Sequence, residues 1–187
     1  YHLGSDVWII NNENKILIQK KSVEINNQFP TALRNLTLAY YNKKGRKEEA
    51  CRLLEKAFEL DQTDSRIFME LDQLYKKMGR AHAERLTFLE AHLELVAQRD
   101  DLCIERITLY NQLGNYEKAR ELIAARKFHP WEGGEGKVTG QYILCRVELA
   151  KKAIKEKRYL EAISLLKETD HYPHKLGEGK LINAEEN

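Results

Sequence analysis

One glycine-rich stretch has the residue types that could hold a phosphate group. Gly133-Gly-Glu-Gly-Lys137 places glycines and a lysine directly before a predicted helix, whose first N–H groups can bind an anion. A phosphate loop of the G-x-x-x-x-G-K-[ST] type would need glycine at Trp131 and a hydroxyl at Val138, and both are missing. Glu135 in the same stretch also opposes an anion. We therefore interpret the stretch as a spacer between helices with a capping role, with phosphate binding as the weaker alternative.

Two histidines have a spacing that could ligate a metal ion. His171 and His174 are three residues apart, and His129 lies in the corresponding loop one repeat earlier. A metal site needs three or four convergent ligands, and Pro173 prevents the pair from sharing a helical face. No Cys–His or Ser–His spacing indicates a nucleophile. We predict exposed loop histidines, no metal or other cofactor, and no enzymatic activity.

The three cysteines, Cys51, Cys103 and Cys145, are spread over separate predicted helices beside apolar neighbours. A free thiol in such a place behaves as a small hydrophobic side chain. An odd number of cysteines on different helices favours reduced thiols in a cytosolic protein over a disulfide or a metal role. We therefore predict a cytoplasmic location and a packing role for the cysteines.

The charge and hydropathy of the chain argue against two classes of partner. The 187 residues include 31 basic and 29 acidic ones, for a net charge of +2. No strong field therefore favours nucleic acid or an acidic membrane surface. No apolar run approaches the roughly 20 residues that span a bilayer. We predict a folded protein whose partners include neither nucleic acid nor membrane.

The clearest long-range pattern is a recurrence after 43 residues. The matching segments are Tyr116–Ala119 with Tyr159–Ala162, Pro130 with Pro173, and Gly134–Lys137 with Gly177–Lys180. Farther upstream, glycines at intervals of 34 and 35 residues each close one helical stretch: Gly45, Gly79 and Gly114. Periods in this range are typical of stacked helix pairs. Such stacks present an extended surface, which favours binding over catalysis.

The elements that must position these residues are four predicted pairs of helices in a domain over residues 29–180. The apolar spacing predicts a first pair from about residue 29 with a break at Gly45, and then helices over 66–78 and 81–97, 101–113 and 116–127, and 138–156 and 159–169. In the fourth pair, Lys157-Arg158 takes the turn position that glycine holds earlier. Asp61–Ser65 supplies a turn and a helix N-cap.

The two ends of the chain differ from this pattern. Residues 1–22 contain two short β-branched runs around a turn-forming stretch, which predicts a β-hairpin, and residues 23–28 are a linker. Residues 181–187 stand where a further helix should begin, so we expect a truncated array.

The helix pairs resemble the tetratricopeptide repeat, a helix-turn-helix unit of about 34 residues. That family places leucine, tyrosine, glycine and alanine at its seventh, eleventh, fifteenth and twentieth positions. The matching residues are Leu36, Tyr40, Gly45 and Ala50 in the first unit, Leu71, Tyr75 and Gly79 in the second, Tyr110, Gly114 and Ala119 in the third, and Leu149 and Ala162 in the fourth. Glu84 and Arg106 depart from the pattern. The resemblance covers about residues 29–171 and implies an all-α solenoid of about four repeats.

Two narrower resemblances concern other segments. His129–Lys137 and Leu176–Leu181 resemble the repeat tail of large bacterial proteins that carry an uncharacterised, carbohydrate-related β-domain. Residues 1–22 are similar to the opening hairpin of Nudix hydrolases. That family binds metal and pyrophosphate through a glycine and a helix carrying Arg-Glu-x-x-Glu-Glu. Because this chain lacks those carboxylates, no divalent cation can be held against a diphosphate and no hydrolase activity is implied.

In the tetratricopeptide family the first helix of each pair lines the concave face of the solenoid. The resemblance therefore implies a partner-binding face formed by Arg34, Tyr41, Asn42, Arg66, Met69, Gln73, Lys76, Lys77, Asp101, Thr108, Asn111, Gln112, Lys151 and Lys155. This face is polar with an excess of basic residues, so an acidic or extended peptide is the expected guest. Some relatives clamp a terminal carboxylate with asparagine and lysine, but Leu38 and Glu70 occupy slots that the clamp needs.

The predicted function is non-catalytic binding of a protein or peptide, or scaffolding, within a larger bacterial protein. Neighbouring domains of a longer chain are further expected partners. One alternative is the accessory repeat region of a carbohydrate-processing bacterial protein, and another is an inactive fusion derived from a Nudix hydrolase. A polar face that is merely solvated is the alternative to the binding face itself.

Overall fold

The structure is a computed structural model that describes residues 28–44 and 46–178. The β-hairpin predicted for 1–22, nearly all of the linker over 23–28 and the further helix predicted for 181–187 lie outside the described residues, as do the side chains of residues 42–44. All regular elements within the described residues are helical, which confirms the all-α prediction there. Among these residues no helix has the length and apolar composition needed to cross a bilayer.

The chain divides into two compact units, with the boundary after Arg80. The described part of the first unit contains α1 (Pro30–Lys44), α2 (Lys47–Leu60) and α3 (Ser65–Lys77). The break between α1 and α2 lies at the predicted place. The boundary falls in the turn of the second predicted pair, so each unit contains one helix of that pair.

The ends and the packing of the first-unit helices follow from their sequence. Pro30 begins α1, where its missing N–H and fixed φ fit the first helical turn. The Asp64 carboxylate accepts hydrogen bonds from the N–H groups of Arg66 and Ile67 at 2.8 and 3.1 Å, which confirms the predicted cap of α3. The helix α2 packs against both α1 and α3. The buried apolar residues include Leu33, Leu36, Ala50, Leu54, Ala57, Ile67, Phe68 and Leu71.

The described part of the second unit is a longer series of helices. These are α4 (His82–Glu90), α5 (Leu93–Gln98), α6 (Asp100–Gln112), α7 (Tyr116–Ala125), α8 (Lys137–Lys155) and α9 (Tyr159–Glu168), with a 3-10 turn over His174–Leu176. The helix α6 packs against α4, α5, α7 and α8, and α8 also packs against α7 and α9. The third and fourth predicted pairs are confirmed, with their ends placed within two residues.

The prediction of one continuous helix over 81–97 is wrong, because the chain leaves the helix at Ala91 and His92. In an unbroken helix, the N–H of His92 would donate to the carbonyl of Phe88. Here the His92 ring Nδ1 lies 3.2 Å from that carbonyl, and the backbone N–H of His92 donates to Leu89 instead. The His92 ring thus lies beside a carbonyl that the helical backbone would otherwise use, and insertion of a side chain there is a known cause of helix breaks.

The turn between α8 and α9 lies at Lys157-Arg158, where it was predicted, and Lys157 takes the place of glycine. This residue has φ of +60°, while Gly114 in the turn between α6 and α7 has φ of +78°. The hydrogen bonds around the two turns also match, since Arg158 N–H donates to Ala153 and Asn115 N–H donates to Tyr110. Lys157 therefore holds a left-handed conformation that glycine adopts without steric cost.

We predict that Lys157→Gly stabilises the protein by about 0.5–1 kcal/mol, because it removes the left-handed strain of a residue with a Cβ. The reverse change, Gly114→Ala, should destabilise by about 1 kcal/mol for the same reason. Urea unfolding followed by circular dichroism measures both. A lower unfolding midpoint for Lys157→Gly would contradict this account of the turn.

The stretch between α7 and α8 forms the predicted non-helical loop, and a later segment of the chain closes over it. The N–H of Phe128 donates to the carbonyl of Lys175 at 2.7 Å. Phe128 and Leu176 are both buried in one apolar cluster with Val138 and Tyr142 of α8. Gly177 lies so close that a Cβ there would come within 2.7 Å of the Phe128 carbonyl oxygen, so this contact needs glycine.

The second Gly-Glu-Gly-Lys segment caps the helix that follows the first one. The Glu178 carboxylate accepts hydrogen bonds from the N–H groups of Gly136, Val138 and Thr139 at 2.5, 2.8 and 3.4 Å. These are N–H groups at the start of α8 that have no partner within the helix. The carboxylate also opposes the positive end of the helix dipole. The predicted capping role belongs to this loop, but the cap comes from a glutamate 42 residues beyond Gly136.

We predict that Glu178→Ala destabilises the protein by about 1 kcal/mol, because it leaves the first N–H groups of α8 without their acceptor. The control is Glu135→Ala, the corresponding glutamate of the first segment. Its exposed carboxylate accepts a single hydrogen bond, from Gly133 N–H at 3.2 Å, so its loss should change stability by less than about 0.5 kcal/mol. Thermal unfolding of both variants measures the difference, and equal losses would argue against the cap.

Candidate functional site

The residues predicted to bind a partner are divided between the two units, and each unit is described by itself. In the first unit, Arg34 and Tyr41 lie on α1 and five others lie on α3, namely Arg66, Met69, Gln73, Lys76 and Lys77. Asn42 belongs to α1, but its side chain is outside the described residues. We call the described side chains of this set the first-unit face.

The two arginines of the first-unit face are held by a carboxylate of the chain itself. Arg34 donates from Nε to Glu70 Oε2 at 2.6 Å and from Nη2 to Glu70 Oε1, in a two-pronged pair. Arg66 Nε lies 3.4 Å from the same Glu70. The hydrogen bond to Glu70 raises the pKa of Arg34 above its usual value, against the opposing effect of burial. The basic excess predicted for this face is therefore partly neutralised.

The remaining first-unit side chains are more accessible. Gln73, Lys76 and Lys77 are exposed, and Met69 is half-buried. The Lys77 ammonium lies 5.0 Å from the centre of the Tyr41 ring, within the range of a cation–π contact. This face therefore has an amide, two ammonium groups and an aromatic ring at or near its surface.

In the second unit, two of the predicted residues, Asp101 and Thr108, make hydrogen bonds within or beside their own helix. Asp101 pairs with Arg99 at 2.7 Å and accepts from the N–H of Leu102, so its carboxylate organises the start of α6. Thr108 donates to the carbonyl of Ile104 one turn earlier, at 2.7 Å. The side chains of Asp101 and Thr108 thus bond to groups within α6 or next to its start. The family resemblance predicted their positions on the helix but not these local hydrogen bonds.

Asn111 was predicted as a surface contact, and that prediction is wrong because the side chain is only 3% exposed. Its Nδ2 donates to Gln141 Oε1 of α8 at 2.9 Å. Its Oδ1 is buried and has no hydrogen-bond partner among the described residues. Sequence reasoning missed Gln141, since it lies 30 residues away on another helix.

The other predicted residues of this unit are exposed. Gln112 lies at the end of α6, and Lys151 and Lys155 lie on the later turns of α8. Lys151 Nζ is 2.6 Å from Glu148 Oε1 in an exposed pair within the helix, which contributes little. With the half-buried Gln141, these side chains form what we call the second-unit face.

The structure also settles which groups occupy the loop considered for phosphate binding. The Glu178 carboxylate accepts hydrogen bonds from the N–H groups that a bound anion would need. This overturns the alternative that the loop binds phosphate. His171 and His174 are exposed, as predicted. No group of three or more His, Cys, Asp or Glu residues is placed to hold a metal ion within the part of the chain that the structure describes.

An acid–histidine contact that the sequence did not suggest holds the start of the same loop. Asp100 accepts from the backbone N–H of His129 at 2.9 Å and lies 3.1 Å from its Nδ1, and it also pairs with Arg126 at 2.6 Å. Burial alone would raise the pKa of Asp100, but the His129 and Arg126 contacts outweigh it and lower that pKa. The His129 side chain is 74% exposed, and its contact with Asp100 joins the loop to the first turn of α6.

The cysteines confirm the predicted packing role in the described residues. All three are free thiols, with Cys51 and Cys145 buried and Cys103 half-buried. Burial raises the pKa of Cys51 to about 11, and the nearby charge of Glu55 adds to the rise. Thiolate, the reactive form, is therefore scarce at neutral pH.

The paired helices, glycine turns and polar faces on the first helices define a protein of the tetratricopeptide-repeat type of fold. Two solved structures carry this conclusion. The crystal structure of MamA matches with a TM-score of 0.55 at 17% identity, covering 84% of this chain and 86% of that chain. The crystal structure of YrrB, "a TPR protein with an unusual peptide-binding site", matches with a TM-score of 0.56 at 17% identity, covering 84% and 76%. No protein-family model matches the sequence.

We predict a measurable coupling between Arg34 and Glu70, because both side chains are mostly shielded from solvent and share two hydrogen bonds. A double-mutant cycle with Arg34→Met and Glu70→Gln should give a coupling energy of about 1.5 kcal/mol in urea unfolding. The control is the exposed pair Arg158–Glu161, for which less than about 0.5 kcal/mol is expected. Equal coupling in the two pairs would show that Glu70 does not hold Arg34 in solution.

Proposed function

We propose that this chain is a non-catalytic binding module for a protein or peptide, and that it binds through the first helices of its hairpins. Its fold matches that of YrrB, whose description names a peptide-binding site. The exposed side chains that support the proposal are Gln73, Lys76 and Lys77 in the first unit and Gln112, Lys151 and Lys155 in the second.

The observation that carries the proposal is the set of exposed polar side chains on first helices of the pairs in each unit. Gln73 and Lys77 lie on α3, Gln112 lies at the end of α6, and Lys151 and Lys155 lie on α8. Polar side chains at repeated positions of this kind can contact an extended peptide at several points.

The chemistry of the exposed side chains favours an acidic partner. The ammonium groups of Lys76 and Lys77 on α3, and of Lys151 and Lys155 on α8, lie on exposed turns. Glu70 holds Arg34 and Arg66, so we assign an incoming carboxylate to exposed lysines, among them Lys77 and Lys155. Attraction of this kind changes mainly the association rate and its dependence on salt.

The experiment begins with selection of peptides from a displayed library of random 12-residue sequences, followed by calorimetric titration of an enriched peptide. We expect enrichment of Asp and Glu. Lys155→Ala should weaken binding roughly threefold at low salt, while leaving the thermal midpoint unchanged, because the side chain is exposed. Weaker binding without loss of stability is the result that a purely structural lysine would not give.

Charge reversal tests the acidic preference separately. Within the second unit, Lys151→Glu should weaken binding of the same peptide by about tenfold at low salt. The matched control is Lys167→Glu, which reverses one exposed charge on a second helix of the same unit. Failure to select any peptide, or equal affinity for the test and control variants, would contradict the proposal.

The Nudix-derived alternative rests on residues 1–22, which lie outside the described residues. No observation within residues 28–44 and 46–178 favours that role or the carbohydrate-linked one.

A further inference from the structure

A stripe of apolar side chains on α9 is exposed. Tyr159, Leu160, Ile163 and Leu166 follow the spacing of one helix face, and their exposed fractions run from 42% at Leu166 to 86% at Leu160. The buried residues of α9 pack against α8 on another side of the helix. A contiguous apolar surface of this kind is typical of a site that binds another protein surface.

The 43-residue recurrence shows what the same positions do on α7. Leu160 and Ile163 correspond to Glu117 and Arg120. On α7 these two residues form ion pairs with the helices that follow, at 2.7 and 2.8 Å. Because α9 has leucine and isoleucine there, a surface that binds α9 must present apolar groups instead of a complementary set of charges.

The order of residues in the stripe is symmetric about its centre. Ile163 has one leucine three residues before it and another three residues after it, namely Leu160 and Leu166. When two identical helices lie antiparallel and cross at Ile163, each Leu160 faces Leu166 of the other helix and the two Ile163 side chains meet. A two-fold dimer requires a surface that is complementary to itself in this way. The stripe of a second copy therefore supplies the apolar groups that this one needs.

Two carboxylates near the start of the stripe are held within their own chain. Arg158 donates from Nε to the Glu156 carboxylate at 2.9 Å and also pairs with Glu161. A two-fold contact brings identical charges of the two copies near each other, and like charges disfavour association. The pairing with Arg158 lowers that repulsion at this end of the stripe.

We propose that α9 is a homodimer surface, on which a second copy of the chain docks its own α9 antiparallel, with Ile163 on the two-fold axis. The four side chains of the stripe are far fewer than the roughly 20–30 residues that each partner contributes to a stable interface, so the dimer is weak, with a Kd of about 100 µM. The proposal does not depend on the partner-binding role, since none of these residues belongs to the first-unit or second-unit face.

Sedimentation velocity of the full 187-residue chain, at concentrations from about 5 to about 500 µM, tests the dimer. We expect the average sedimentation coefficient to rise over this range. Leu160→Glu places a charge in the apolar contact of both copies and should weaken the dimer by at least about tenfold. The matched control is Leu93→Glu, which adds the same charge at another exposed leucine of the second unit and should leave the Kd unchanged. Circular dichroism checks that both variants are folded.

Cross-linking tests the antiparallel register. Ile163→Cys should form a disulfide between two copies in oxidised glutathione, because the two residues meet on the axis. The background comes from Leu93→Cys and from the unaltered chain, whose own thiols are buried or half-buried.

A sedimentation coefficient that stays constant over the whole range would overturn the proposal. Equal effects of Leu160→Glu and Leu93→Glu on the Kd would overturn it as well, and so would an Ile163→Cys cross-link no stronger than that of Leu93→Cys. If Leu160→Glu prevents folding, Leu160→Gln gives the same test with a neutral polar side chain.

Discussion

Much of the second unit depends on burying α8 on more than one side at once. Its early turns contribute Val138, Tyr142 and Cys145 to one apolar cluster, and its later turns contribute Leu149, Ala150 and Ala153 to another. No short helix pair can bury its apolar surface by itself, so stacking against neighbours is what makes each pair stable. Because α8 takes part in both clusters, a change in its position would disturb its contacts with α6, α7 and α9 together.

Local patterns in the sequence predicted most of this architecture. The apolar spacing and the turn residues located the helix pairs, and Lys157-Arg158 was correctly placed at the turn where other pairs have glycine. The break at His92 was missed, because no glycine or proline marks it. It depends on an imidazole that lies against the Phe88 carbonyl, and a competition between a side chain and the backbone has no periodic signature.

The candidate binding faces were predictable only in outline. Helix position correctly predicted exposed side chains such as Lys151 and Gln73. It could not show that Arg34 is held by Glu70, 36 residues away, or that Asn111 is buried beside Gln141. Pairings of this kind depend on which helices become neighbours and in what register, and a family position carries no information about them. The balance of charge on a face is therefore a property of the folded protein more than of its composition.

The Glu178 cap has a dynamic consequence as well as a static one. The first turn of α8 is capped by the Glu178 carboxylate, which closely follows the 3-10 turn. The N–H of Phe128 is hydrogen-bonded to that same turn. When residues 174–178 lift away, the N–H groups at the start of α8 lose their acceptors at the same moment. Segments of one chain that share their hydrogen bonds in this way open together as a single cooperative unit. The amides of Val138 and Thr139 would then exchange with solvent at a rate set by the opening of a segment about 40 residues away.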